Sequence, residues 1–137
     1  MSEKKVKPYT DVVKDLMDKK SSLLSKAQAL SEVGMVETAQ PLFLSAAAYE
    51  ERIAPLLDAL GRELEAAVHR ISAASCYQKA GPLHHAVNLY RAALAGPLRE
   101  DTRSEVEKML YDCLEQLTRQ PMPTITAPPV QEALYAI

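Results

Sequence analysis

Two stretches of this chain carry the same ladder of small and large apolar residues, at a constant offset of 47 residues. The first copy consists of Ala27, Leu30, Gly34, Ala39, Phe43 and Ala46, and the second of Ala74, Tyr77, Gly81, Ala86, Tyr90 and Ala93. Alanines let two helices approach closely, a large residue one turn away fills the neighbouring groove, and glycine allows the turn between helices. The ladder therefore predicts two helical hairpins of the same design.

The ladder resembles the tetratricopeptide repeat (TPR), in which a small and a large residue precede a glycine turn and Ala, an aromatic residue and Ala follow. The second copy matches this pattern, with Pro97 one residue before the usual proline, whereas Leu30 replaces the aromatic residue in the first copy. The chain lacks the family's tryptophan, and its offset of 47 exceeds the usual period of ~34 residues. The resemblance covers roughly residues 20 to 97. It implies a short stack of helical hairpins whose concave surface binds another protein.

Glycines, prolines and apolar residues at helical spacing predict an all-α protein of about five helices. The first helix is expected to begin at Thr10 or Asp11 and to end before Gly34. Since Pro55 has no N–H to donate within a helix, it should end or kink the second helix, which is predicted over about 36–54. The third helix is predicted from Pro55, or just after it, to Ala80, and Gly61 could divide it into a short and a long piece.

Pro82 is expected in the first turn of the fourth helix, which ends at Gly96. Thr102 and Glu105 form a capping-box pattern that predicts the start of the fifth helix. This helix is apolar on one face and acidic on the other, as expected of the final, capping helix of a stack.

The predicted domain organisation has three parts: a basic lead over 1–9, a TPR-like helical domain over 10–119 and a proline-rich tail over 120–137. The tail ends in an apolar segment that contains Val130, Leu134, Tyr135 and Ile137. Three of these residues lie at i, i+4 and i+7, so a short helix would place them on one stripe. We expect this segment to dock into an apolar groove on this protein, on a sister subunit or on a larger partner. The alternative is a frayed tail without a role.

Composition bears on partners and location. The formal net charge is −2, without the basic footprint that nucleic-acid binding requires. No apolar run approaches the ~20 residues that span a membrane, and the lead lacks the apolar stretch of a signal peptide. Cys76 and Cys113 lie on apolar helical stripes, which indicates buried free thiols in a reducing compartment. A cytoplasmic protein that binds neither nucleic acid nor membrane is therefore expected.

Few residue patterns favour catalysis, a metal or another cofactor. The adjacent His84 and His85 point about 100° apart on a helix, and no further ligands follow at suitable spacing. Arg62 and His69 resemble the Arg-x(4–6)-His element of the HEPN ribonucleases, in which the pair positions an RNA phosphate and assists proton transfer. Glu63 stands where that family prefers Asn, Asp or His. A HEPN-like ribonuclease is the alternative to two solvated residues on a charged helix face.

The favoured function is binding. By the TPR resemblance, the first helix of each hairpin lines a concave groove, which would contain Leu24, Gln28, Ser31, Val68, Ile71, Ser75, Gln78, Met109 and Asp112. Such a mixture of apolar and amide side chains suits an extended or helical peptide. Leu24 and Ile71 are equally compatible with plain core packing. The sequence thus predicts a non-catalytic interaction module, an adaptor, chaperone-like protein or assembly factor, that binds a partner or a second copy of itself.

Overall fold

The computed structural model describes residues 9–120, and this part of the chain is all-α, without strands. Its five helices are α1 (Tyr9–Glu32), α2 (Val36–Ala59), α3 (Glu63–Ala80), α4 (Leu83–Ala95) and α5 (Glu100–Arg119). Each helix packs on the next one along the chain, and α3 also touches α5. Within the described residues, no helix has both the length and the apolar character needed to cross a bilayer. The predicted all-α stack of five helices is confirmed.

The apolar ladder builds both hairpins in the same way. The ladder alanines and the second-helix aromatics, Phe43 and Tyr90, are all buried, while Leu30 and Tyr77 are half-buried in equivalent places. Gly34 and Gly81 have φ angles of +87° and +124°, a region that side chains other than glycine rarely adopt. The two copies therefore agree in burial and in turn conformation, and the predicted pair of hairpins, α1–α2 and α3–α4, is confirmed.

The core consists of three apolar clusters. Two of them lie where α1, α2 and α3 meet, one around Phe43 and Cys76 and the other around Ile53 and Leu57. The third joins α3, α4 and α5 around Tyr90. Because α3 contributes to all three clusters, it is the central helix of the described structure.

Pro55 does not end the second helix, and the predicted boundary there was wrong. Helix α2 continues through Pro55 to Ala59, and the chain turns at Gly61, whose φ is +78°. A proline inside a helix costs about 3 kcal/mol. The flanking Ile53 and Leu57 are fully buried, and such burial contributes roughly 1.5–3 kcal/mol for each side chain. Packing of this turn against α1 and α3 thus outweighs the missing hydrogen bond, while Pro55 itself stays exposed.

The predicted capping box at Thr102 was also wrong, since α5 begins two residues earlier, at Glu100. The Thr102 amide donates to Asp101 Oδ1 at 2.8 Å. The acidic side chains of the first turn, Glu100 and Asp101, interact favourably with the positive end of the helix dipole. The Arg103 side chain donates to the carbonyl oxygens of Leu94, at 2.7 Å, and Gly96, at 3.2 Å. Arg103, in the first turn of α5, therefore hydrogen-bonds to backbone carbonyl groups at the end of α4.

Candidate functional site

One side of α3 exposes apolar side chains although its other sides are packed on α2 and α4. Leu64 and Val68 are 49% and 53% exposed and lie one turn apart. Ile71 and Ser75 continue the same helical stripe and are half-buried, and Ile71 packs against the core around Tyr90. We call these four residues the α3 face. Its first two turns therefore carry exposed apolar surface.

The predicted groove residues on α1 and α5 expose less apolar surface than those on α3. Leu24 is half-buried and packs against the cluster around Phe43, Gln28 is exposed and Ser31 is half-buried. On α5, Asp112 is exposed, whereas Met109 is half-buried against the core around Tyr90. The exposed apolar surface among the predicted groove residues is therefore concentrated on α3.

Gln78, another predicted groove residue, makes internal contacts. Its amide nitrogen donates to the Gln116 side chain on α5, and its amide oxygen accepts a hydrogen bond of 2.8 Å from the Tyr90 hydroxyl on α4. This amide thus links α3, α4 and α5. Its position favours a role in holding the helices together over contact with a ligand.

A buried ion cluster was missed at the sequence level. Glu50 on α2 is 0% exposed, and its Oε1 lies 2.5 Å from Nδ1 of His69 on α3. Its Oε2 has no hydrogen bond but lies 3.4 Å from the Lys20 ammonium on α1. The carboxylate is therefore held between a cationic side chain and an imidazole from the two neighbouring helices. We call Lys20, Glu50 and His69 the ion cluster.

The surroundings of Glu50 keep it ionised. Burial raises the pKa of this carboxyl group, but hydrogen bonds from His69 and Ser72 and the charge of Lys20 lower it below the ordinary value of 4.5. The same burial, together with the Glu50 charge, raises the pKa of the Cys76 thiol to about 11. Cys76 is therefore a protonated, buried thiol at neutral pH rather than a nucleophile. The ion cluster ties α1, α2 and α3 together.

One sequence signal could have identified Glu50. It lies seven residues after Phe43 and three before Ile53, so it occupies the apolar stripe of α2 rather than its polar side. A carboxylate at such a position needs a partner, because an isolated buried charge is too costly. The partners themselves, Lys20 and His69, come from other helices, and sequence spacing does not reveal them.

A second polar cluster lies nearer the surface. The Tyr77 hydroxyl donates to Glu51 Oε1 at 2.6 Å, and His85 Nε2 lies 3.3 Å from Glu51 Oε2. The rings of Tyr77 and His85 meet edge to face, with centroids 4.3 Å apart. Burial and the Glu51 carboxylate raise the pKa of the Tyr77 hydroxyl, which therefore remains a donor. This cluster joins α2, α3 and α4, and both His85 and the adjacent His84 are exposed.

Arg62 and His69 contact different carboxylates. Arg62 precedes α3, and its Nε lies 3.4 Å from Glu65 Oε1, whereas His69 binds the buried Glu50. The interpretation as two solvated residues on one helix face was wrong for His69, whose side chain is 15% exposed, and α3 begins only at Glu63, after Arg62. Among residues 9–120, no group of three or more His, Cys, Asp or Glu side chains is arranged to hold a metal ion.

Two further predictions concern the cysteines and the tail. Cys76 and Cys113 are free and buried, as predicted. The proposed docking residues Val130, Leu134, Tyr135 and Ile137 lie outside the described residues. In comparisons with known proteins, the chain matches no family model, no curated protein and no solved structure.

Proposed function

We propose that this chain is a non-catalytic protein–protein interaction module of the cytoplasm and that the α3 face binds its partner. The observation that carries this proposal is the exposure of Leu64 and Val68 on a helix whose remaining sides are covered. Burying such a pair against a partner removes apolar surface from water, at roughly 25 cal/mol for each Å². The free, buried thiols support a reducing compartment.

The spacing on the α3 face favours a helical partner. Leu64, Val68 and Ile71 lie at i, i+4 and i+7, the pattern with which one helix packs along another. An amphipathic helix with apolar anchors at the same spacing would complete this packing. Such a helix is available from a different protein, as for an adaptor, chaperone-like protein or assembly factor, or from a second copy of this chain.

Introducing a negative charge on the α3 face tests this proposal. Val68→Glu and Leu64→Glu place a carboxylate on the proposed surface, while Leu44→Glu changes a residue that is 45% exposed on α2. Each variant and the parent protein would be immobilised, and the proteins that each retains would be compared by mass spectrometry. Sedimentation would measure self-association. Circular dichroism would confirm that the variants fold.

We expect partner binding or dimerisation to be lost in Val68→Glu and Leu64→Glu and to be retained in Leu44→Glu. Retention of the same partners and the same mass by all three variants would refute the α3 face as the binding surface.

A further inference from the structure

One stripe of α5 lies beside the α3 face. Short loops join successive helices from α3 to α5, so these helices alternate in direction, and α3 and α5 run the same way. Gln78, one turn beyond the α3 face, donates to Gln116 of α5. Ile71 and Met109 pack against the same core around Tyr90. The side of α5 that contains Met109 and Gln116 therefore borders the α3 face.

Helical spacing adds two carboxylates to this side of α5. Residues at i, i+4, i+7 and i+11 share a stripe, which here consists of Glu105, Met109, Asp112 and Gln116. We call these four residues the α5 wall. Burial raises the pKa of the Tyr90 hydroxyl, and the charge of Asp112 adds to this effect. Since the same hydroxyl binds Gln78, Asp112 lies within electrostatic reach of the contact between α3 and α5.

The carboxylates of the α5 wall are available to a partner. Glu105 and Asp112 are both exposed, and within residues 9–120 neither of them forms an ion pair. Lys108 lies one turn before Asp112 without pairing with it in this part of the chain, and Arg119 lies 4.0 Å from Glu115. Exposed apolar surface on α3 thus lies beside unpaired negative charge on α5.

We infer that the partner of the α3 face is a basic amphipathic helix, an inference that rests on the proposed function of this face. The apolar side chains of such a helix would pack on Leu64 and Val68. Lysines or arginines beside its apolar stripe would pair with Glu105 and Asp112. These carboxylates are seven residues apart, about 10 Å along α5, so cations seven residues apart on the partner helix match them.

Charge complementarity favours this partner over a second copy of the chain. The α3 face of a second copy consists of uncharged residues, Leu64, Val68, Ile71 and Ser75. It therefore has no cation to place against the α5 wall. A basic helix supplies both the apolar stripe and the missing charge.

Three synthetic helical peptides test this charge preference on the full-length protein. All have leucine at i, i+4, i+7 and i+11 and differ only in the residues beside this stripe, which are lysine, glutamine or glutamate. Fluorescence anisotropy of each labelled peptide measures its affinity. The double variant Glu105→Gln/Asp112→Asn removes the proposed ion pairs. The control Glu100→Gln/Glu107→Gln removes two exposed carboxylates at the same spacing from the opposite side of α5.

We expect the lysine peptide to bind at least about tenfold more tightly than the glutamate peptide at about 50 mM salt. The preference should shrink at about 500 mM salt, where exposed charges are screened. In Glu105→Gln/Asp112→Asn, the lysine peptide should bind no more tightly than the glutamine peptide. In the control variant its advantage should persist. Val68→Ser should weaken the binding of both peptides, because it removes apolar contact surface.

Equal affinities for the three peptides, with binding still lost in Val68→Ser, would overturn the inference and leave the α3 face as a binding surface without charge preference. Lysine-peptide binding that survives Val68→Ser and Leu64→Ser would overturn it too, since such binding does not use the α3 face. Failure of all three peptides to bind would also overturn it, while the Val68→Glu comparison separately tests the face itself. A dimer that Val68→Glu abolishes would identify a second copy as the occupant instead.

Discussion

Replacement of the buried Glu50 by glutamine should destabilise the protein by about 1–3 kcal/mol at pH 7. Glutamine keeps the shape of the side chain but removes its charge. The change weakens a charge-assisted contact with His69, of a type that contributes about 1.5–3 kcal/mol, and the attraction to Lys20. The loss is partly offset, because burying an amide costs less than burying a carboxylate.

Removing a partner should cost more than removing the charge. In His69→Ala the ionised Glu50 stays buried with Lys20 and Ser72 as its remaining partners, and such broken pairs cost up to about 3–5 kcal/mol. Once Glu50 is glutamine, the same His69→Ala change leaves no buried charge behind. The double variant should therefore lose less stability than the sum of the two single variants.

The Glu50 contribution should disappear in acid. The folded-state pKa of Glu50 lies below its ordinary value of 4.5, so the anion stabilises the fold fully above pH 4.5. This stabilisation is lost as the pH falls through the folded-state pKa. The stability difference between the parent protein and Glu50→Gln should accordingly narrow as the pH falls below 4.5. Urea unfolding followed by circular dichroism, at several values between pH 7 and 3, measures this difference.

The neighbouring Glu51→Gln variant is the matched control. Glu51 lies on the same helix and binds Tyr77 and His85, but its side chain is 34% exposed, so solvent screens its charge. We expect an effect within about 1 kcal/mol for this variant. Equal losses in Glu50→Gln and Glu51→Gln, or a Glu50→Gln loss that is independent of pH, would refute the role assigned to the ion cluster.

The remaining predictions concern the ladder and catalysis. Ala39→Leu and Ala86→Leu should each destabilise the protein by about 1–3 kcal/mol in thermal unfolding, because both alanines are fully buried, whereas Ala48→Leu on the surface of α2 should be neutral. Unchanged melting temperatures for both buried variants would contradict the ladder packing. Purified protein should cleave RNA without added metal no faster than background. Robust cleavage that both Arg62→Ala and His69→Ala abolish without unfolding would instead establish the ribonuclease alternative.

Much of the fold follows from residues that act within their own helix or turn. Gly34 and Gly81 mark turns because their φ angles are positive, and the ladder alanines mark close helix contacts because a larger side chain does not fit. These effects depend on the residue type and on short-range spacing. For this reason two hairpins and the ends of α1 and α3 were predictable.

The misplaced helix boundaries arise from competition between local preference and tertiary packing. Pro55 disfavours a helix locally, but the burial of Ile53 and Leu57 depends on where α1 and α3 lie. Thr102 has the preferred local pattern for a cap, yet α5 starts at Glu100, where Arg103 can reach the end of α4. For the α3 face, the helical stripe was readable, but the exposure of Val68 and the internal bonding of Gln78 depend on which sides of α3 the neighbouring helices cover.

The two hairpins share the apolar ladder but are joined to the following helix by different polar contacts. His69 on α3 and Gln116 on α5 each belong to the helix that follows a hairpin, although His69 lies near the start of its helix and Gln116 near the end. His69 binds the buried Glu50 of the first hairpin, while Gln116 accepts a hydrogen bond from Gln78 of the second. The repeated apolar residues thus form each hairpin, and different polar residues join it to the next helix. Glu50 needs the imidazole of His69, whereas Gln78 is paired with an amide, Gln116. The apolar ladder alone therefore does not determine how each hairpin is joined to the next helix.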